Sequence, residues 1–382
     1  MFKASNKSVG TVCFPTYNRA NLLLPTLEKV LPNVSVEWPI LILDNASNQE
    51  AHIYDKVKDI AKSHPQVHYY KHQKNLLFEG NLLSMFDLVP TDYFMVCSDE
   101  DEPCFDGLSS IASFLSGNRD IGAIRPSLGT LPNEKPRQAI SFKEKSFERS
   151  EGVGKFGLTG NYISGAIYNA KLLKKFNVPQ RLRKNLLANQ GYPHLYLNIL
   201  AAANSKTLFS NTVTCFEGIQ VYNEPRLFTD YFGAFSYGTR INQFIALRNA
   251  IFEAYVDIQA YDKDKKVDFG KFYLDYQLLC SKYFSLIMWA QGSMYQKNMI
   301  TVASLAKSFA LFCIGAVEHL PHYERIKKSL ANEVFLLAEY WIDKHRQDSK
   351  STTMFYDVPG NAMVREKTGF TALCRSTNNK AS

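Results

Sequence analysis

The chain has 382 residues, a hydrophobic content of 46% and a net charge of +8, so two or three globular domains with substantial cores are expected. It begins without the apolar stretch of a signal peptide, and its longest apolar run, residues 309–317, is too short to span a membrane. We therefore expect a cytoplasmic protein. The seven cysteines show no zinc-type pairing and are interpreted as reduced thiols.

The first hundred residues alternate between short apolar runs and helical patterns. Strands are predicted at residues 8–14, 39–43, 66–71 and 93–97, and helices at 21–31, 50–63 and within 75–86. The apolar runs are continuous, which is typical of strands that are buried on both faces. This alternation predicts a doubly wound, mostly parallel sheet with helices on both faces.

The fourth predicted strand ends in an acidic turn, Ser98-Asp99-Glu100-Asp101-Glu102. Open α/β sheets bind ligands at the carboxyl ends of their strands, and carboxylate oxygens suit a hard divalent cation such as Mn²⁺ or Mg²⁺. The spacing of Asp99 and Asp101 lets both carboxylates reach one site. A solvated acidic turn is the alternative, and it is the better interpretation of this pattern taken by itself.

Polar loops also follow the first two predicted strands, as Thr16-Tyr17-Asn18-Arg19 and Asp44-Asn45-Ala46-Ser47. The loops that follow parallel strands gather along one edge of a sheet. These two loops are therefore expected to meet the acidic turn at one crevice.

Four segments together resemble the N-terminal half of family 2 glycosyltransferases with the GT-A fold. They are residues 14–19, residues 43–47, Asn75 with Gly80 and Asn81, and residues 98–101. The resemblance covers roughly residues 8–105, with a looser match over residues 155–200. It implies a GT-A-like sheet with a Rossmann-like nucleotide-binding half, a divalent metal, and a nucleotide diphosphate sugar as donor, with a UDP-sugar expected.

The resemblance also implies roles for individual residues. The residues expected to bind the nucleotide are Pro15, Thr16, Tyr17, Arg19, Asp44, Asn81, Ser98, Asp99 and Glu100. Asp44 would accept a hydrogen bond from the base, Asp99 would lie near the ribose and share the metal, and Asp101 would be its main ligand. A metal held there neutralises the diphosphate as it leaves. Capping of the following helix is the alternative role of Asp44, and turn chemistry that of Asn75.

The segment after residue 120 is expected to form the acceptor side. A strand is predicted at residues 120–125, a long loop or flap at 127–157, and a strand within 160–169 that resembles an acceptor-facing segment. Family members commonly place an acid at the start of the next helix, but residues 189–196 contain no carboxylate. His194 is the candidate general base, because an unperturbed histidine has a pKa of about 6.5. A structural histidine is the alternative, with Glu217 and Asp230 as the next carboxylates to test.

The last third of the chain has a helical pattern. Helices are predicted at residues 241–255, 272–289, 300–317 and 323–344. The predicted organisation is a GT-A domain over residues 1–235, a helical appendage over 236–348 and a polar tail over 349–382. Within the first domain, residues 1–125 form the nucleotide half and 126–235 the acceptor half. Arg240 is a candidate phosphate contact, with an ordinary surface role as the alternative.

Basic clusters at residues 171–175, 181–184 and 325–328 can contact the anionic inner face of a membrane, where a lipid-linked acceptor is presented. A solvated helix surface is the alternative. No stacking-aromatic motif accompanies these clusters, so nucleic acid is not an expected partner.

The sequence therefore predicts a metal-dependent, inverting glycosyltransferase that acts on a glycan or lipid-linked acceptor. By resemblance, its product would be a bacterial surface polysaccharide such as capsule or lipopolysaccharide. One alternative is a nucleotidyltransferase, although such enzymes usually have a glycine-rich loop after the first strand and residues 15–19 contain no glycine. The other is a catalytically silent module that binds a nucleotide or a sugar.

Overall fold

The structure, a computed structural model, describes residues 5–131, 141–157, 162–184, 193–218, 237–261 and 272. The chain divides into two compact units, Met1–Arg226 and Leu227–Ser382. Among the helices in the described ranges, none is both long and apolar enough to cross a membrane. The domain boundaries expected from the sequence stay predictions.

The first unit begins with the predicted alternation of strands and helices. Its elements are β1 (Gly10–Thr16), α1 (Ala20–Val30), β2 (Ile40–Asp44), α2 (Ala51–Ser63), β3 (Val67–Lys71), α3 (Leu77–Leu88) and β4 (Tyr93–Val96). Strand β1 runs through Pro15 instead of ending before it. Its pairing with β4 ends at Cys13, so the missing N–H of Pro15 costs no hydrogen bond to β4.

The second part of this unit is less regular. Its elements are β5 (Glu102–Pro103), α4 (Phe105–Gly117), β6 (Ile121–Thr130), β7 (Lys145–Glu148), α5 (Arg149–Gly152), β8 (Ile167–Asn169), α6 (Ala170–Lys175), α7 (Val178–Lys184), α8 (Pro193–Asn204) and β9 (Lys206–Glu217). A π-helical turn, Val153–Gly157, follows α5.

The prediction of a long loop over residues 127–157 is wrong where the structure describes this segment. Strand β6 continues to Thr130, and β7, α5 and the π-helical turn follow further along the chain. Strand β7 gives little signal in the sequence, because Phe147 is its one buried residue. The Phe147 ring packs edge-on against Phe209 of β9, with 5.0 Å between the ring centroids.

Within the described residues, nine strands form one sheet in the order β3-β2-β1-β4-β8-β6-β9-β5, and β7 pairs with β9. Strands β1, β2, β3, β4, β6 and β9 run in one direction, and β5, β7 and β8 run against them. The predicted mostly parallel sheet is therefore confirmed. Thr16 pairs with Asp44, and Asp44 pairs with Lys71, so the first three strands end at one level.

Helices cover both faces of the parallel part of the sheet. Val12, Ile42 and Met95 belong to one buried cluster that also contains residues of α1, α2 and α4. On the opposite face, Phe94 of β4 packs edge-on against Phe86 of α3, with 4.9 Å between ring centroids. Burial on both faces explains why these strands appear as continuous apolar runs in the sequence.

The described part of the second unit consists of one helix, α9 (Tyr237–Tyr261), and the isolated residue Phe272. Its buried residues recur at the helical spacing expected for residues 241–255: Ala246, Leu247, Ala250, Ile251, Ala254 and Ile258. The helices predicted at 272–289, 300–317 and 323–344 lie outside the described residues, apart from residue 272, as does the tail. The side chain of Arg240 also lies outside the described part.

Trp38, which precedes β2, generates a prediction about stability. Its side chain is fully buried, and its Nε1 donates a hydrogen bond to the Leu108 carbonyl at 2.9 Å. We expect Trp38→Ala to lower the free energy of unfolding by about 3–5 kcal/mol, because it leaves a cavity and removes the hydrogen bond to the Leu108 carbonyl. Denaturant unfolding measures this loss. The matched control, Tyr70→Ala at a side chain that is 41% exposed, should cost about 1 kcal/mol or less.

Candidate active site

Asp44 ends β2 and has no exposed surface. Its Oδ1 accepts a hydrogen bond from the Ser47 amide at 2.7 Å, and the Tyr69 hydroxyl donates to its Oδ2. The Lys71 ammonium lies 3.5 Å from the same Oδ2. Helix α2 begins only at Ala51, so the alternative role of Asp44 as the cap of that helix is wrong. The carboxylate instead closes the turn that follows β2.

The loop after β1 is tied to α2 and to the loop after β2. Thr16, the last residue of β1, shares a 2.8 Å hydrogen bond with the Tyr54 hydroxyl, which also accepts from the Arg19 amide at 3.2 Å. Asn18 accepts hydrogen bonds from two backbone amides of the second loop through its side-chain oxygen. Tyr17 points outward and is 40% exposed. Two of the three predicted loops therefore meet.

Arg19 joins this loop to the acidic turn. Its Nη2 lies 2.9 Å from Glu100 Oε2, and its Nε lies 3.6 Å from Asp99 Oδ2. The Arg19 side chain is 42% exposed, whereas those of its two carboxylate partners are buried. The structure thus brings the third predicted loop to the same crevice.

Asp99 and Asp101 are both buried, and the two oxygens of each carboxylate differ in their hydrogen-bond partners. Asp101 Oδ1 accepts hydrogen bonds from the Tyr162 hydroxyl at 2.6 Å and from the Gly218 amide at 2.9 Å. Within the described residues, Asp101 Oδ2 and Asp99 Oδ1 are buried without a hydrogen-bond partner. Each carboxylate therefore keeps one oxygen for a ligand.

The burial of these carboxylates alters their acidity. Desolvation raises the pKa of Asp99 to about 8, against the opposing effect of the Arg19 cation. Desolvation and the nearby Glu100 raise the pKa of Asp101 to about 6, and the interactions with Gly218, Ser164 and Tyr162 limit this rise. A group of positive charge beside the pair would favour the ionised form of both carboxylates.

The carboxylate oxygens of Asp99 and Asp101 suit a hard divalent cation. Among the described residues, no cluster of three or more histidine, cysteine, aspartate or glutamate side chains is arranged to hold a metal. Mg²⁺ is commonly bound by one or two carboxylates together with substrate phosphates. Asp101 and Asp99 offer two such carboxylates, each with a buried unpartnered oxygen.

The two asparagines of the third loop and α3 make internal hydrogen bonds. Asn75 Oδ1 accepts from the Asn45 side chain at 2.8 Å and from the Leu77 amide at 2.7 Å, which is the expected turn chemistry. Asn81 donates to the Leu43 carbonyl at 3.1 Å, and its Oδ1 lies 3.1 Å from His72 Nε2. Asn81 was expected at the nucleotide, whereas the structure uses it to hold α3 against the end of β2.

The segment before β8 contacts the acidic turn. The Ser98 amide donates to Ser164 Oγ at 2.9 Å, and the two serine hydroxyls lie 3.0 Å apart. Together with Tyr162, these contacts turn the described part of the predicted acceptor-facing segment toward Asp101. Gly160 and Asn161, which belong to the same predicted segment, lie outside the described residues.

His194 is placed at the start of a helix, as predicted, but it is buried. It is the second residue of α8 and is 2% exposed. This helix contacts β6, α5 and α7. Glu217, the last residue of β9, is 5% exposed and directly precedes Gly218. Asp230 lies outside the described residues.

Sequence reasoning missed several residues that shape the site. They are Tyr54, Tyr69, Lys71, Tyr162 and Gly218. The rule that strand ends converge would have found Lys71, because it is the last residue of β3, whereas Tyr69 lies in the middle of this strand. Tyr162 lies in the segment that was predicted to face the acceptor, but no sequence signal points to its contact with Asp101. The same is true of Gly218, because both contacts depend on the second half of the sheet.

Comparisons with known proteins also indicate a glycosyltransferase. Residues 11–176 match the model of the family described as glycosyl transferase family 2. This part of the chain belongs to that family. The prediction of a family 2 glycosyltransferase is thus confirmed, and with it the prediction of a sugar-transferring enzyme. No curated protein matches the glycosyltransferase chain significantly.

Solved structures of TarS from S. aureus share the fold of this glycosyltransferase. TarS 1–349 in complex with UDP-GlcNAc gives a TM-score of 0.57 at 12% identity, over 88% of this chain and 92% of that one. The same TarS segment in complex with UDP gives a TM-score of 0.51 at 12% identity and the same coverage. A longer TarS structure gives a TM-score of 0.53 at 12% identity, over 87% of this chain and 55% of TarS. Similarity at this identity shows the fold, which is the predicted GT-A fold.

The raised pKa of Asp99 makes the stability of the metal-free protein pH-dependent. The carboxyl has a pKa of about 8 when folded and of about 4 when unfolded, so the folded state keeps a proton that the unfolded chain releases. The stabilisation from this proton is complete below about pH 4 and is lost as the pH rises through about 8. Asp99→Asn should therefore gain thermal stability relative to wild type as the pH rises from about 5 to about 8.

Calorimetric unfolding of both proteins in the presence of a chelator measures this difference. Asp106→Asn, at an exposed carboxylate in the first turn of α4, is the control and should not show a comparable pH-dependent gain. A constant offset between Asp99→Asn and wild type over the whole range would contradict the prediction.

Proposed function

We propose that this enzyme transfers a sugar from a nucleotide diphosphate sugar to a hydroxyl of a glycan or lipid-linked acceptor, with a divalent cation and with inversion. The observation that carries the proposal is the pair Asp99 and Asp101. Both carboxylates are buried beside the end of β4, and each keeps one oxygen without a partner in the described part of the chain. A diphosphate and its cation supply ligands and positive charge that suit this pair.

The loops after β1 and β2 support a nucleotide pocket next to this pair. The side chains of Tyr17 and Arg19 are partly exposed along the first loop. On the second, Asp44 is the proposed acceptor for an N–H of the base, and Lys71 is 43% exposed beside it and can donate to a base carbonyl. A UDP-sugar is the expected donor, and the TarS complexes with UDP-GlcNAc and UDP have the same fold.

The cation would be Mn²⁺ or Mg²⁺, held by Asp101 through Oδ2 with Asp99 as the second carboxylate. When bound, it neutralises the charge that develops on the departing diphosphate. Arg19 pairs with Glu100 Oε2 at 2.9 Å, so a cation would have to compete with Arg19 for that oxygen. The pairing also keeps Arg19 at the mouth of the crevice, within reach of a phosphate.

Inverting transfer needs a base that takes the proton of the acceptor hydroxyl. His194 is our first candidate, because it lies where family members place an acid, at the start of α8. Glu217 is the second candidate, since it is a buried carboxylate one residue from Gly218, which contacts Asp101.

The proposed acceptor belongs to a bacterial surface polysaccharide, and the surface of α6 and α7 supports contact with an anionic membrane that presents it. Exposed cations on these helices are Lys171, Lys174, Lys175, Arg183 and Lys184. Lys171 and Arg183 have acidic neighbours, so only part of this charge is free for lipid. The basic cluster at residues 325–328 lies outside the described residues. Location at the inner face of the membrane remains part of this proposal.

The alternative functions are less well supported. A nucleotidyltransferase would need a loop that wraps a triphosphate, whereas the loop after β1 is fixed by the side-chain hydrogen bonds of Asn18. A silent binding module has no need for two buried carboxylates with unpartnered oxygens. Release of UDP from a UDP-sugar would exclude the silent module.

A nucleotide-binding screen tests the donor site. UDP and UDP-GlcNAc should raise the unfolding temperature of wild type by several degrees in the presence of Mn²⁺, because ligands that bind only the folded state stabilise it. Asp101→Asn should lose the Mn²⁺-dependent part of this rise, and Asp106→Asn should keep it. The absence of any shift in wild type, with or without Mn²⁺, would overturn the proposed function.

Single-turnover assays test the two candidate bases. His194→Ala should reduce sugar transfer by about 100-fold or more and leave donor binding unchanged, because general base catalysis typically contributes factors of this size. Glu217→Gln should retain transfer if His194 is the base. The reverse pattern, with Glu217→Gln inactive and His194→Ala active, would move the role to Glu217.

A further inference from the structure

Tyr162 is not among the residues predicted to bind the donor, but its hydroxyl donates a hydrogen bond to one of them, Asp101. We propose that Tyr162, together with the backbone amide of Gly218, orients the Asp101 carboxylate so that its Oδ2 faces the divalent cation. Tyr162 is then a positioning residue for the metal and, through it, for the donor diphosphate. The inference rests on the metal-dependent function proposed above.

The two donors converge on one oxygen from different parts of the sheet. The Tyr162 hydroxyl comes from the segment before β8 and lies 2.6 Å from Asp101 Oδ1, and the Gly218 amide follows β9 and lies 2.9 Å from the same atom. Two donors on one oxygen fix the rotation of a carboxylate about its terminal bond. The other oxygen, Oδ2, is left buried and without a hydrogen bond within the described residues.

Tyr162 is itself held in place. The guanidinium of Arg125, a buried residue of β6, donates to the Tyr162 carbonyl, and the Tyr162 side chain packs against the main hydrophobic core. Burial and the neighbouring Asp101 raise the pKa of the Tyr162 hydroxyl, so it remains a donor. A hydroxyl that is fixed in position and protonated can orient a carboxylate without conformational cost at the time of binding.

Gly218 reaches Asp101 because it has no side chain. A Cβ at this position would lie 1.7 Å from the Glu100 carbonyl oxygen, so any other residue would push the end of β9 away from the acidic turn. The close approach brings the Gly218 amide within hydrogen-bond distance of Asp101. The end of β9 is therefore attached to the acidic turn at two points, through the Gly218 amide at Asp101 and through the pairing of Phe216 with Glu102 in β5.

The chemistry of metal sites indicates what the loss of such a contact does. Partners of metal ligands fix ligand orientation, and their removal typically lowers metal affinity by about 10- to 100-fold. Removal of the Tyr162 hydroxyl would leave the Gly218 amide as the remaining donor to Asp101 Oδ1 and would hold the carboxylate less firmly. The expected defect is therefore in metal binding and not in the chemical step.

The decisive variant is Tyr162→Phe, measured in the full chain. We expect its dissociation constant for Mn²⁺, determined by electron paramagnetic resonance in the presence of UDP and without turnover, to rise by about 10- to 100-fold. In donor turnover, the KM for Mn²⁺ should rise by a similar factor, while kcat at saturating Mn²⁺ stays close to that of wild type.

Tyr168→Phe is the matched control. Tyr168 is a buried tyrosine of β8 whose hydroxyl donates to Asn198 Oδ1 at 2.8 Å, on the opposite side of the sheet from the core cluster around Ile167. The control loses a buried hydroxyl and its hydrogen bond, as Tyr162→Phe does, and its Mn²⁺ dissociation constant should match that of wild type.

Three results would overturn the inference. Unchanged Mn²⁺ affinity in Tyr162→Phe, with normal affinity in wild type, would refute the positioning role and leave the proposed function intact. An unfolding temperature for Tyr162→Phe far below that of Tyr168→Phe would assign the hydroxyl a general structural role. Absence of Mn²⁺ binding in wild type with UDP would remove the metal from the proposed function and the inference with it.

Discussion

The burial of two carboxylates beside the end of β4 is the constraint on which the arrangement of the site depends. Transfer of a charged carboxylate from water to a protein interior is costly unless positive charge or hydrogen bonds compensate. Asp99 and Asp101 have 1% and 0% exposure and only partial compensation, which is why their pKa values are raised. The ionised form of both carboxylates is therefore unfavourable in the free protein, and a cation bound beside them would stabilise it.

The partial compensation comes from elements that are distant in sequence. Arg19 contributes from the loop after β1, Tyr162 from the segment before β8, and Gly218 from the end of β9. The acidic turn thus connects the parallel half of the sheet to its mixed half. A shift of any of these elements would change the position of the carboxylates, so the fold and the site are mutually dependent.

Much of the fold could be predicted because its signals are local. A continuous apolar run such as Tyr93–Val96 identifies a strand buried on both faces, and the convergence of strand ends placed Arg19 and Asp44 at one crevice with the acidic turn. Strand β7 could not be found in this way, since the burial of Phe147 alone creates no periodic pattern. The role of Gly218 could not be found either, because it depends on a long-range pairing between β5 and β9 that has no local signature.

The number of hydrogen-bond donors that contact each carboxylate differs between Asp44 and Asp101. Asp44 is as deeply buried as Asp101, but both of its oxygens receive protein donors, from Ser47 and from Tyr69. A nucleobase bound at Asp44, as proposed, would share an oxygen that already has a hydrogen-bond partner, and this contact would orient the base more than it would add a new charge interaction. Asp101 keeps Oδ2 unpartnered within the described residues, so a cation there would interact with a buried carboxylate that the protein compensates only in part. The spacing of the two acids in the sequence does not show this difference, because it arises from which tertiary contacts reach each oxygen.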